Sequence, residues 1–211
     1  MNPDRNLRIR KGYVDGPWGQ IHYREIGSGP ELFLLHQSPV SGAMFSPAMP
    51  LLAAHGLRVI ALDTPGYGMS DGPDSPADVA TLADAVAAAI ADLSASPCFL
   101  LGHHTGAALA ANIAARKLTP ISRLILNGMP ILSLEERAFF DTFDFGPIKL
   151  SADGAHLIDV WNQRLAASPG WTNLQAMHKH VAEMLAVSDC YWFAFEAVFA
   201  HDIESDVKAN Q

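Results

Sequence analysis

Four short apolar runs, separated by stretches of helical periodicity, constrain this chain more than any other feature. The runs are residues 31–35 (Glu-Leu-Phe-Leu-Leu), Arg58 to Leu62, Pro97 to Leu101 and Ser122 to Leu126. Strands buried on both faces read as such unbroken runs, because neither side meets water. Between them the period lengthens to that of a helix, over Met44 to His55, Ser75 to Ala95 and Gly106 to Lys117. In the second of these, Val79, Leu82, Ala83, Val86, Ile90 and Leu93 share one face. There Ser75 is the expected N-cap, with Pro76 at the first helical position and Asp78 completing a capping-box pattern. Strand and helix alternating in this way predict βαβ units, a parallel sheet and right-handed crossovers. Residues 19–27 alternate apolar and polar and end at Gly-Ser-Gly-Pro, which predicts a half-exposed antiparallel strand and a turn.

After Pro130 the strand signals stop, and residues 131–204 read as helical, with Gly154 to Ala167, Leu174 to Ala186 and Cys190 to His201 as the candidate helices. A helical block following a strand of a parallel sheet is a candidate lid. His178 and His180 lie on a polar helical stretch and are expected to face solvent. Ile203 to Gln211 reads as the approach to a further strand.

Composition removes several classes. The net charge of −8 argues against a nucleic-acid partner, since phosphate binders concentrate Lys and Arg. No apolar run approaches the roughly 18–20 residues of a membrane helix, which argues against a membrane partner. Met1 to Gly12 is charged and lacks the apolar stretch of a signal peptide. Two cysteines, Cys98 and Cys190, do not make a disulfide framework, and Cys98 sits in an apolar run as a small hydrophobe. With 49% hydrophobic and 17% charged residues, the expectation is one soluble, cytoplasmic-type domain with an insertion.

In an open α/β sheet, ligands bind outside the carboxyl ends of the strands. Three loops leave those ends here: His36-Gln37-Ser38-Pro39, Asp63 to Asp71, and Gly102-His103-His104-Thr105-Gly106. The third has the G-x-X-x-G form of a nucleophile elbow, directly between an apolar strand and a helix. Its glycines permit a tight turn that projects the middle side chain, and Ala107, Ala108, Ala110 and Ala111 let the helix lie close to the sheet.

From about residue 12 to 208 the chain resembles the α/β-hydrolase fold family, in its branch with a helical cap. Leu-Leu-His-Gln-Ser-Pro is similar to that branch's H-G-x-P oxyanion loop, Leu-Asp-Thr-Pro-Gly-Tyr-Gly-Met-Ser-Asp to its D-x-P-G-x-G-x-S-D loop, and Leu-Leu-Gly-His-His-Thr-Gly-Ala to its elbow. Haloalkane dehalogenases, epoxide hydrolases, esterases, carbon–carbon bond hydrolases and some lyases share the scaffold. The resemblance implies a mostly parallel sheet with helices on both faces: residues 1–130 as core, 131–204 as cap and 205–211 as the start of a link back to the core.

Three departures stand against the pattern. The elbow holds His104 where the family has Ser, Asp or Cys. Gln37 replaces the usual Gly. The strands that carry the triad acid and histidine in the family are missing from this chain, and the residues after the fourth run, Asn127, Gly128 and Met129, include no carboxylate. A native gene product extending past Gln211 and supplying both groups is the expectation.

An elbow serine attacks a carbonyl after a base removes its proton. His104 can instead attack an acyl group directly, or act as a neutral base on water or a substrate proton, since the helix beginning at Thr105 opposes positive charge on it. The oxyanion hole implied by the resemblance consists of the backbone N–H groups of Ser38 and Thr105. Gln37, Met129 and Trp161 are expected to line the substrate pocket. His36 and His103 read as structural residues and the Asp63 loop as a structural turn. No ligand spacing supports a metal, and no cofactor motif is present. The reading is a hydrolase for a small, largely apolar carbonyl compound; a proton-abstracting lyase and a non-catalytic ligand-binding or scaffold protein are the alternatives. Leu124, Ile125 and Leu126 on an uncovered last strand further predict that this chain alone forms a homodimer through that edge, aggregates, or is a fragment of a longer protein.

Overall fold

The computed structural model describes residues 8–140, 142 and 146–210, with the side chain of residue 139 excepted. The remaining residues, which include 1–7 of the expected core and Gln211 of the expected link, lie outside the described residues. Six strands form one sheet: β1 (Arg10–Gly16), β2 (Gly19–Gly27), β3 (Glu31–Leu35), β4 (Arg58–Leu62), β5 (Cys98–His103) and β6 (Ile121–Asn127), in the spatial order β1-β2-β4-β3-β5-β6. β1 and β2 are antiparallel to each other, and β2 is antiparallel to β4. From β4 through β3 and β5 to β6 the sheet is parallel.

The apolar runs of β3 and β4 lie where both faces of the sheet are covered, whereas the run in β6, expected to be buried on both faces, lies on a half-exposed edge strand with Ile125 48% exposed. Phe33, Leu35, Ile60, Leu62 and Leu100 point to one face, beneath α2 (Val79–Leu93) and α3 (Thr105–Ala115). Leu32, Leu34, Val59 and Ala61 point to the other, with Met49 of α1 (Met49–Ala54). These sheet side chains are almost wholly removed from water, and each Leu or Phe contributes roughly 1.5–3 kcal/mol by that burial. Past Asn127 come α4 (Leu134–Phe140), α5 (Ala155–Ala166), α6 (Leu174–Ala186), α7 (Phe193–Ala200) and α8 (Ile203–Ala209). Val160, Met177 and Val181 of α5 and α6 form a separate small core. Among the described residues no helix is long and apolar enough to cross a membrane.

Several elements depart from the sequence reading. β1 is an additional strand: its alternation is masked by polar residues, and the two-residue turn Pro17-Trp18 pairs it with β2. The helix expected over Met44 to His55 is a 3-10 turn, Gly42–Phe45, followed by α1 alone. Pro47 and Pro50 lack the N–H groups that a continuous helix needs there, and Pro50 fits only the first turn of α1. The N-cap of α2 is Asp78, not Ser75: its carboxylate accepts from Thr81 N at 2.7 Å, so Pro76 lies outside the helix. The tail expected to lead into a strand is α8, capped by Asp202 and tied to α3 by Asn112 Nδ2 donating to Asp206 Oδ2 at 3.0 Å.

Candidate active site

The Gly102–Gly106 turn has elbow geometry. His104 stands at φ 49°, ψ −112°, a conformation that costs a non-glycine residue on the order of 1–3 kcal/mol. Close packing enforces it. A Cβ on Gly102 would lie 2.2 Å from Gly106 O, and one on Gly106 would lie 2.2 Å from Leu35 O. The first turn of α3 therefore presses directly on the ends of β3 and β5. The backbone is held from the other side by His104 N donating to Asn127 O at 2.9 Å. His103 hydrogen-bonds through Nδ1 to Asn127 Oδ1 at 2.8 Å, in keeping with a structural role, and its ring meets that of His104 edge-on at 4.4 Å.

The His104 ring lies against Gly128 and makes no hydrogen bond with any described residue. It lines a cavity of about 520 Å³ whose other walls come from the His36 loop, from Pro130 and Leu132, and from α4 to α7. Partial burial, and after it the neighbouring His103, push its pKa below 6.5. The direction matches the sequence expectation, which rested on the helix terminus.

The two expected oxyanion donors are adjacent. Thr105 opens α3, so its N–H has no intrahelical acceptor. Ser38 N–H donates to Thr105 Oγ1 at 3.2 Å, so this second donor is engaged inside the protein. Gln37, Ser38, Thr105 and His104 all line the cavity. Met129 and Trp161, expected there, do not: Met129 packs against the main core, and Trp161 against the small core of α5 and α6, because its neighbour Val160 takes the inward position.

Burial corrects a further assignment. His180 is not solvated; it is 9% exposed, lines the cavity, and packs edge-on to Trp171 at 6.1 Å. Burial, and after it the charge of Arg164, push its pKa down to about 4. The signal was its place beside Met177, Val181 and Met184, the apolar stripe of α6. Arg164 and Gln163 also line the cavity, and the sequence reading missed both.

The surrounding loops are fastened by buried polar bonds. His36 Nε2 accepts from Thr64 N at 2.9 Å and its Nδ1 donates to Gln37 O at 2.8 Å; both nitrogens are committed, and burial keeps the ring neutral. Asp63, fully buried, accepts from His22 Nδ1, Arg24 NH1, Gly42 N and Met69 N at 2.8–3.0 Å. Those contacts lower its pKa and leave it a structural hub. Tyr67 OH accepts from Ala194 N at 3.0 Å, and Glu183 of α6 accepts from Ser41 N at 2.7 Å, so both loops hold the helical block directly.

The model of the α/β hydrolase fold family matches residues 30–186, well over half of the chain. Among curated proteins, AB hydrolase superfamily protein YisY of Bacillus subtilis is 37% identical over 107 residues, covering 50% of this chain and 40% of that protein. Bifunctional epoxide hydrolase 2 of Sus scrofa is 33% identical over 109 residues, covering 50% of this chain and 20% of that protein. The chain thus spans less than half the length of these relatives. The crystal structure of epoxide hydrolase VrEH1 from Vigna radiata superposes with a TM-score of 0.71 at 16% identity, covering 95% of this chain and 75% of that one.

Proposed function

Because the chain belongs to the α/β-hydrolase fold family, we propose that it hydrolyses a small, largely apolar carbonyl compound bound between the strand ends and the helical block, with His104 as its base. The observation that carries this reading is the His104 imidazole itself: held on a strained elbow at the wall of the cavity, bonded to no described residue, biased by burial away from its protonated form, and beside the first N–H of α3. In this scheme α4 to α7 serve as the cap. His104 takes a proton from water as the oxygen attacks the carbonyl carbon. The resulting oxyanion is met by Thr105 N–H, and by Ser38 N–H once Thr105 Oγ1 gives it up. Collapse expels the leaving group, which receives the proton from the imidazolium. The free thiols Cys98 and Cys190 suit a reducing cytoplasm.

The His104 ring has no carboxylate to orient it among the described residues, and this favours a second reading, a ligand-binding protein without turnover. A panel of short carboxylic esters decides between them. Hydrolysis by the wild type that His104→Gln abolishes, with no acyl burst and no labelling by serine-directed phosphonates, supports the proposal. Binding without turnover supports the second reading, and stoichiometric labelling of Ser38 with loss of activity overturns the assignment of the elbow.

A further inference from the structure

Four arginines of the described residues are paired with carboxylates, whereas one that lines the cavity is not. Arg10, Arg24, Arg58 and Arg116 each meet a carboxylate at 2.8–3.0 Å. Arg164, in the last turn of α5, meets none among the described residues, and its Nε is buried without a hydrogen-bond partner. A buried Nε–H without an acceptor is costly, so it implies something that arrives to satisfy it. Burial pushes the Arg164 pKa down, yet a guanidinium remains charged at any ordinary pH.

Its surroundings are those of an anion site. The centre of the Trp171 ring lies 5.1 Å from the guanidinium carbon, a cation–π contact. The described lining of the cavity contains no Asp or Glu: around Arg164 stand Gln163, His180, Val160 and Met184. In a chain of net charge −8, the described lining carries Arg164 and no carboxylate. The planar fork of an arginine matches the two oxygens of a carboxylate, with Nε and a terminal nitrogen donating in parallel.

We infer that the cavity takes a substrate bearing a carboxylate, and that Arg164 is the residue that pairs with it; this rests on the reading of the cavity as the substrate site. The anion sits beside α5 and α6, and the apolar body of the molecule spans the cavity toward His104. Such a substrate is the half-ester of a small dicarboxylic acid, with its free carboxylate on Arg164 and its ester carbonyl toward His104.

Calorimetric titration with phenylacetate and, separately, with its neutral isostere phenylacetamide tests this without requiring turnover. The wild type should bind phenylacetate about tenfold or more tightly than the amide, the size of one charge-assisted pair. Arg164→Gln should remove the preference and leave the amide affinity within about twofold; Arg164→Lys, which keeps the charge but not the fork, should retain part of it. Equal binding of the two probes by the wild type overturns the carboxylate assignment and leaves the cavity reading standing. A preference that survives in Arg164→Gln overturns the role of Arg164. Failure of both probes to bind the folded wild type overturns the cavity reading and this inference with it. Should Arg164→Gln not fold, the wild-type comparison and Arg164→Lys still decide.

Discussion

Gly106→Ala tests whether the elbow is built as described. The added methyl would start 2.2 Å from Leu35 O, 2.5 Å from Leu35 C and 2.7 Å from His36 O, all of them backbone atoms. Real Cβ contacts essentially never fall below 3.0 Å, so α3 and β3 must part by at least about 0.8 Å, and no side chain can yield instead. Overpacking of this kind costs about 1–3 kcal/mol. The displacement falls between Thr105 N and the Ser38 loop, where a misplacement near 1 Å can cost about 100-fold in rate. Urea melts should show the loss of stability, and ester hydrolysis a loss of kcat exceeding any change in KM. Gly146→Ala, where a Cβ meets no atom of the described residues within 4 Å, is the control and should stay within about 0.5 kcal/mol of wild type. A Gly106→Ala protein as stable and active as the control would refute the close approach of α3 to β3, and with it the elbow.

Asp63→Asn places an amide among four donors and leaves Arg24 short of its charge partner, so it should destabilise the fold by about 3–5 kcal/mol in denaturant melts. Because the folded-state pKa of Asp63 is lowered, that difference is full at neutral pH and shrinks as pH falls below about 4 toward the folded value. β6 is a sheet edge on which Ile125 is 48% exposed, so the 211-residue polypeptide should associate through it. Light scattering across a concentration series should show mass above the monomer, and Ile125→Lys should lower it; a monomeric wild type would refute the edge argument. Thr105→Val removes the acceptor that holds Ser38 N–H, so the ester rate should rise or hold steady, and a loss of 100-fold or more (about 2.7 kcal/mol or more) would show that the hydroxyl itself acts on the substrate.

β3 and β4 were legible because burial on both faces leaves an uninterrupted apolar run, and the elbow because two glycines flank a strand-to-helix junction; the apolar run of β6 misled, since that strand is a half-exposed edge. β1 was not: Arg10–Gly16 carries Arg, Lys and Asp, and only its hairpin with β2 makes it a strand. Helix boundaries misled where local bonds decide them, as at Asp78, whose side chain caps α2 in place of Ser75. The cavity lining was half legible. Loop residues Gln37, Ser38, His104 and Thr105 follow from the motifs, whereas the lining from α5 and α6 depends on how those helices are rotated over the sheet. That rotation places Val160 and Arg164 inward and Trp161 against the small core, and it buries His180 beside Trp171.

The pH dependence of kcat/KM for a neutral ester, in wild type and His104→Gln, bears most directly on His104 as the base. A base must be unprotonated to act, and the His104 pKa is held below 6.5 by burial and by His103. The rate should therefore be full at neutral pH and fall on acidification, with its midpoint below 6.5, and His104→Gln should lose both the rate and that acid limb. A midpoint above 6.5, or a variant that keeps the rate and the same profile, would contradict His104 as the group that activates water.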